Sequence, residues 1–143
     1  MDRAMSRGHL LETAEAIHAA AIRILRIVRV EDAQAGVPPA QLSALSVLVF
    51  GGPQSLGGLA VAEQVKPPTM SRVVEGLVRQ GLAARQAHPS DRRSVRIAAT
   101  PKGRKLLLAG RDRRVQALAR RFEKLAAPDL EAIRKAARAL SGV

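Results

Sequence analysis

The fold is decided by residues 66–105, which read KPPTMSRVVEGLVRQGLAARQAHPSDRRSVRIAATPKGRK. Two prolines open a helix, because proline fits the first turn, where its missing N–H is not needed. Apolar residues then recur at Met70, Val74, Leu77 and Val78, the spacing of one buried helical stripe. Gly81 follows as a stop signal. This part of the stretch predicts an amphipathic helix.

A β-hairpin is predicted after that helix. Two short β-compatible runs, residues 82–87 and 94–99, are separated by His-Pro-Ser-Asp-Arg-Arg, a charged turn sequence. Thr100 and Pro101 then supply an N-cap oxygen and a first-turn proline for another helix. A helix, a basic hairpin and a second helix, in this order, are the layout of a winged helix-turn-helix.

The rest of the chain is predicted to be helical. Apolar periodicity indicates helices at 8–32, 40–50, 55–64 and 101–125, and a last helix that starts at Pro128. Ser55 is predicted to be the N-cap of the third of these helices. We therefore expect a mainly α fold with a small β-hairpin, built as one domain over residues 1–143. In this domain, residues 40–100 form the winged helix-turn-helix lobe, and residues 8–34 and 101–143 form long helices at the two ends.

The composition limits the classes of function. The chain has 143 residues, a hydrophobic fraction of 47%, no cysteine, no tryptophan or tyrosine, and two phenylalanines. The lack of cysteine excludes disulfides, thiolate metal sites and thiol redox sensing. No apolar run approaches the roughly 18 residues of a membrane span, and the N-terminus carries no signal pattern. We expect a cytoplasmic protein with no membrane partner.

The positive charge is concentrated in the middle of the chain. The formal net charge is +12, and residues 66–96 carry seven basic and two acidic side chains, followed by nine and two in residues 97–124. A local basic field of this kind attracts polyanions, among which nucleic acid is the first candidate. A basic surface that merely keeps the protein soluble remains the alternative.

The predicted helix at 67–80 has the features of a DNA-reading helix. Thr69, Arg72, Gly76 and Arg79 are expected to point away from its buried stripe, with Ser71 and Glu75 at the margins. Short polar groups and an arginine near the helix start suit the major groove, so Thr69, Ser71, Arg72 and Gly76 are the candidates for it. Arg72 fits the paired contact to guanine O6 and N7, and Gly76 would let the backbone approach the duplex. An ordinary amphipathic helix with a solvated face stays open as the alternative.

The basic residues around this helix are candidates for the DNA backbone. We assign Lys66, Arg79 and Arg85 to phosphates. At the hairpin, Asp91, Arg92 and Arg93 form a charged tip that suits a narrow minor groove, with Asp91 expected to ion-pair with one arginine. On the second strand, Val95 and Ile97 are expected to face the core. The alternative for the tip is a charged surface turn that only keeps the strands soluble.

The run GLAARQAHPSDRRSVRIAATPKGRKLL closely resembles the wing and following helix of the MarR family of bacterial transcriptional regulators. The segments SLGGLA and PPTMSRVVEGLVRQGL resemble the two helix-turn-helix helices of that family. The resemblance implies a homodimeric repressor on a palindromic operator, dimerised through its terminal helices. It also implies that Ser71 and Arg72 enter the major groove, and that Asp91 with Arg92 or Arg93 serves the minor groove. Pro67-Pro68 and Gly76 depart from the family pattern.

A small-molecule effector is a further expectation from this resemblance. Many relatives release DNA when an aromatic ligand binds between the dimer helices and the DNA-binding lobe. Phe50 and Phe122 are the aromatic residues that this chain offers for stacking. Arg23, Arg26 or His18 would anchor an anionic ligand, although surface charge or helix capping explains them equally well.

Two other classes of function were weighed. An enzyme is not expected, because His9, His18 and His88 are scattered and no nucleophile, phosphate-loop or metal-ligand motif accompanies them. No cofactor or metal is therefore predicted. An RNA binder is disfavoured by the 1% aromatic content, since single-stranded recognition relies on stacking. A chromosome-associated winged helix that binds DNA without sequence preference remains the main alternative.

Overall fold

The computed structural model describes residues 6–142, so residues 1–5 and 143 of the predicted single domain lie outside the described part. Within residues 6–142 the chain forms six helices and two strands. Their bounds are α1 Arg7–Ala33, α2 Pro39–Gly51, α3 Leu56–Ala62, α4 Pro67–Arg79, β1 Ala83–His88, β2 Asp91–Ala99, α5 Pro101–Phe122 and α6 Ala127–Leu140. The predicted fold class, mainly α with one small hairpin in a winged helix-turn-helix, is confirmed.

The chain divides into two compact units. The first, called the lobe below, comprises Asp32–Asp112 and contains α2, α3, α4, the hairpin and the first part of α5. The second, called the helical unit, comprises the described residues up to Glu31 together with those from Arg113 onward.

The lobe is organised around an aliphatic core. Its most deeply buried side chains come from α2, α3, α4 and the turn before β1 and are Leu45, Leu59, Met70, Val74, Leu77 and Leu82. Met70, Val74 and Leu77 are the stripe predicted for α4, and each is at most 1% exposed. Burying a side chain of this size contributes roughly 1.5–3 kcal/mol relative to leaving it in water. The helix-turn-helix is therefore held by its own core.

Local signals set the helix bounds in the lobe. The Ser55 hydroxyl accepts a hydrogen bond from the N–H of Gly58 at 2.9 Å, which is the predicted N-cap of α3. At the other end of the helix-turn-helix, Gly81 follows α4 with φ +70°, a left-handed conformation that most residues avoid. This turn sends the chain from α4 directly into β1.

The hairpin is longer than predicted. β1 and β2 pair antiparallel from Ala83 opposite Ala99 to His88 opposite Asp91, so Pro89 and Ser90 alone form the turn. The start of β2 therefore includes Asp91, Arg92 and Arg93, which sequence analysis had assigned to the loop. Gln54 adds a short bridge on the other edge, with its backbone N–H 2.9 Å from the carbonyl oxygen of Ile97.

The prediction for the inward face of β2 is half right. Ile97 is 2% exposed and packs in the core, whereas Val95 is 52% exposed. The hairpin extends past the helices at this point, so its outer half has no core to pack against. The alternation of side chains along a strand predicts on which face of the sheet a residue lies. It does not predict how far along the strand that face is covered by the core.

The helical unit lacks a buried side chain on α1 and on α6 within the described residues. Large apolar side chains on both helices are instead partly exposed, among them Leu10, Leu11, Ile17, Ile24, Leu25, Ile133 and Leu140. An unpartnered apolar surface of this size is unusual for a monomer and typical of an interaction face.

Candidate nucleic-acid interface

One exposed stripe runs along α4. Pro68, Arg72, Glu75 and Arg79 follow one another at helical spacing and are all exposed, on the side away from Met70, Val74 and Leu77. Thr69, near the helix start, is exposed as well, and Ser71 is half-buried. Of the residues predicted for the major groove, Arg72 and Thr69 are thus accessible, and Ser71 is accessible in part.

Gly76 is not on this stripe, and its predicted outward position is wrong. A Cβ built on Gly76 would overlap the side-chain amide of Gln41 from α2. Gln80 closes the same contact, because its Nε2 donates to Oε1 of Gln41 at 2.7 Å and to the carbonyl oxygen of Gly76 at 3.1 Å. The missing side chain of Gly76 therefore leaves room for Gln41 where α2 packs against α4.

The start of α4 explains why Pro67-Pro68 can replace the polar residues of the family pattern. Lys66 occupies the N-cap position and makes no side-chain cap hydrogen bond, and the prolines follow at the first helical positions. The N–H groups of Thr69 and Met70 both donate to the carbonyl oxygen of Lys66, at 3.0 and 3.1 Å. Since proline has no N–H, the usual need for a Ser or Thr cap is removed at this end.

The start of α5 holds the end of α4. The Lys102 ammonium donates to the carbonyl oxygen of Gln80 at 2.8 Å, and the Thr100 hydroxyl donates to that of Gly81 at 2.6 Å. The same hydroxyl accepts from the N–H of Gly103 at 3.1 Å and so caps α5. A Cβ on Gly103 would overlap the carbonyl oxygen of Leu82. The Thr-Pro-Lys-Gly sequence at 100–103 therefore forms the contact between α5 and the α4–β1 turn.

The wing presents its charges differently from the prediction. Asp91, Arg92 and Arg93 are all exposed at the start of β2. Oδ1 of Asp91 accepts from the backbone N–H of Arg93 at 2.9 Å, and within residues 6–142 its carboxylate has no ion pair with either arginine. The expected ion pair is thus replaced by a backbone contact that shapes the hairpin end, and both guanidinium groups extend into solvent.

The remaining predicted residues are also accessible. Lys66 and Arg79 are exposed at the two ends of α4, and Arg85 is exposed on β1, opposite Ile97 in the register. All the candidate residues belong to the lobe. The structure thus carries two exposed sets on one unit, the stripe of α4 and the basic end of the hairpin.

Sequence analysis missed two contributors to this surface. Glu75 was placed at the margin of the helix, although its spacing from Pro68, Arg72 and Arg79 already puts it on their stripe. Gln41 was not considered, because nothing in the local sequence of α2 indicates that it meets Gly76 of α4. The Glu75 position was readable from helical periodicity, whereas the Gln41 contact required the tertiary structure.

Among residues 6–142, no cluster of His, Asp and Glu is arranged to hold a metal ion. No helix in that part of the chain combines the length and the apolar character that crossing a bilayer requires.

Known proteins resemble this chain over most of its length. The sequence model of the MarR family (MarR_2) matches residues 35–94. The uncharacterised HTH-type transcriptional regulator ML2140 of Mycobacterium leprae is 36% identical over 118 residues, which are 82% of this chain and 82% of the relative. The chain belongs to the MarR family. As a MarR-family protein it is a winged helix-turn-helix transcriptional regulator.

Solved structures show the same MarR-type fold. The crystal structure of RV1404 from Mycobacterium tuberculosis is similar with a TM-score of 0.83 and 26% identity, over 100% of this chain and 97% of the other. A mutant of S. aureus MepR bound to an oligodeoxyribonucleotide is similar with a TM-score of 0.72 and 20% identity, over 91% and 96% of the two chains. At that identity the second likeness shows the fold alone.

Proposed function

We propose that this MarR-family protein binds double-stranded DNA by sequence, as a homodimer on a palindromic operator, and represses transcription in the cytoplasm without any enzymatic activity. The observation that carries the proposal is the exposed stripe of α4 beside a basic wing on one lobe. Winged helix-turn-helix proteins place such a helix in the major groove. The similar fold of the oligonucleotide-bound MepR mutant supports this docking.

The α4 stripe would read bases. Arg72 is exposed in the second turn, and a guanidinium there matches guanine O6 and N7 with two hydrogen bonds. Thr69 and Ser71 would contact neighbouring base edges or the thymine methyl group. Lys66, Arg79 and Arg85 would hold phosphates and so fix the register of the helix on the duplex.

The wing would reach the adjacent minor groove. Arg92 and Arg93 are exposed and carry no ion pair to Asp91, so their charge is available to the narrow, electronegative groove. Asp91 would act indirectly, since its carboxylate holds the backbone of Arg93 in place. Joint replacement of both arginines by alanine distinguishes one inserted guanidinium group from two by the change in salt dependence.

The helical unit would make the dimer. Its helices leave a groove of about 460 Å³ lined by apolar side chains, among them Ile17, Ile24, Phe122, Ile133 and Leu140. A second copy presents the same apolar surface, which makes a self-complementary interface. Two lobes brought together in this way would meet two half-sites, which is the reason to expect a palindromic operator.

A small-molecule effector is a separate hypothesis. Phe122 and Arg23 line the same groove of the helical unit, so an apolar acid that binds its aromatic face and its cation would compete with the second copy. A titration of aromatic carboxylic acids into the protein–DNA complex tests this hypothesis, with release of labelled duplex as the signal. Unchanged DNA affinity at saturating acid would contradict it.

The second candidate function is DNA coating without sequence preference, because exposed arginines serve it equally well. The two are separated by fluorescence anisotropy at two salt concentrations, with duplex from the protein's own upstream region against scrambled duplex of equal length. Sequence-specific regulators typically bind their operator with an affinity about a thousandfold or more above that for random duplex. Equal affinity for the two duplexes, followed by failure of a random-library selection to yield a motif, would support coating and overturn sequence reading.

A further inference from the structure

An acidic residue lies in the middle of the α4 stripe. Glu75 is exposed and stands three residues after Arg72 and four before Arg79. Both spacings bring helical side chains next to each other. The lobe surface is otherwise basic here, so a carboxylate at this position weakens the attraction for phosphate.

The carboxylate of Glu75 is open to a new donor. Its only hydrogen bond within the described residues comes from the Ser71 hydroxyl, at a long 3.5 Å to Oε1. Throughout residues 6–142, no Lys, Arg or His nitrogen lies within 4.0 Å of this carboxylate, so neither Arg72 nor Arg79 neutralises it. Both oxygens therefore retain capacity to accept hydrogen bonds.

Glu75, and not Gly76, lies on the exposed side of α4. Because Gly76 faces Gln41 of α2, the side of α4 turned away from the lobe carries Arg72, Glu75 and Arg79. A helix docked by this side in the major groove brings Glu75 to the base edges. Among those edges, the N4 amino group of cytosine is the donor that carboxylates accept from.

We propose that Glu75 is a specificity-determining residue that accepts a hydrogen bond from cytosine N4 in the half-site read by Arg72. The inference rests on the proposed sequence-specific DNA binding and names one base of its operator. The carboxylate is repelled by phosphates on every duplex and is compensated only where cytosine faces it. Glu75 thus lowers affinity for wrong sequences as well as favouring the right one.

The test is a selection of binding sites from a randomised duplex library with three proteins: the wild type, Glu75→Ala, which removes both acceptor oxygens, and Asp112→Ala. Asp112 is an exposed acid on α5 of the same lobe, so its substitution removes an equal charge away from α4. Individual duplexes from each selection are then titrated by anisotropy. Thermal melting of the free proteins confirms that the exposed substitution leaves the fold intact.

The wild type is expected to select a motif with cytosine at one position of each half-site. Glu75→Ala should lose that preference by roughly 5- to 150-fold, the range for one good base contact. It should also bind random duplex several-fold more tightly than the wild type does. Asp112→Ala should keep the cytosine preference unchanged.

Three results would overturn the proposal, and they are distinguishable. If the wild type selects a motif and Glu75→Ala selects the same one with the same cytosine preference, Glu75 does not read the base. The same conclusion follows if Glu75→Ala loses the guanine preference assigned to Arg72, because Glu75 would then act by orienting the arginine. If the wild type selects no motif, the proposed function fails together with this inference.

Discussion

The side-chain amide of Gln41 occupies the space where any residue other than glycine would carry its Cβ at position 76. Gln80 fixes this amide from α4, with 2.7 Å between its Nε2 and Oε1 of Gln41. The contact joins residues 39 apart in the chain and links α4 to α2. Position 76 of α4 therefore packs against α2.

Gly76→Ala should therefore behave differently in two backgrounds. An exposed helical Gly→Ala substitution stabilises by roughly 0.5–1 kcal/mol. In the wild type this gain is offset, since Gln41 must move and its hydrogen bond with Gln80 is worth about 0.5–1.5 kcal/mol. In Gln41→Ala the full gain should appear. Urea unfolding at fixed protein concentration gives the free energies, and equal effects in both backgrounds would show that Gln41 and position 76 are uncoupled.

Gly103→Ala should be the more damaging glycine substitution. Its Cβ would overlap the backbone carbonyl oxygen of Leu82, which cannot move away as a side chain can. We expect a loss of about 2 kcal/mol or more in the free energy of unfolding, in the range of overpacked cores. Gly57→Ala in α3 is the matched control, because nothing lies within 4 Å of its Cβ position. Gly57→Ala should be neutral or stabilising, and similar losses for both variants would refute the contact.

Arg72→Ala should weaken operator binding by about 1–3 kcal/mol and relax the preference at one base position of each half-site. The side chain is exposed, so the melting temperature should stay close to that of the wild type. Arg72→Lys keeps the charge and separates base reading from phosphate attraction. The measurement is anisotropy on duplexes that differ at one base pair. A uniform loss on every duplex would assign Arg72 to the backbone instead.

Joint replacement of Arg92 and Arg93 by alanine should lower both affinity and its salt dependence. If both guanidinium groups lie against DNA, the slope of log K against log salt should decrease in magnitude by about 0.9 for each, close to 2 in total. A decrease near 1 would indicate that a single arginine is engaged. An unchanged slope would remove the wing from the contact surface.

The sequence predicted the elements of this protein well because their signals are local. The Met70–Val74–Leu77 spacing, the Ser55 cap and the Thr100-Pro101 start each depend on residues within two turns of one another. The family resemblance rested on the same local motifs. What the sequence missed depends on distant partners. The orientation of Gly76 is set by Gln41, and the exposure of Val95 by where the helices beneath the hairpin end.

The two prolines that open α4 have a further consequence for association with a ligand. Pro67 and Pro68 restrict the backbone of the unfolded chain at the junction between α3 and α4, so less conformational entropy is lost there when the protein folds. Their fixed φ angles also keep the start of α4 ordered in the folded protein before a partner docks on it. The free energy of binding at this position therefore includes no large entropic cost of ordering the backbone, as in rigid-body association.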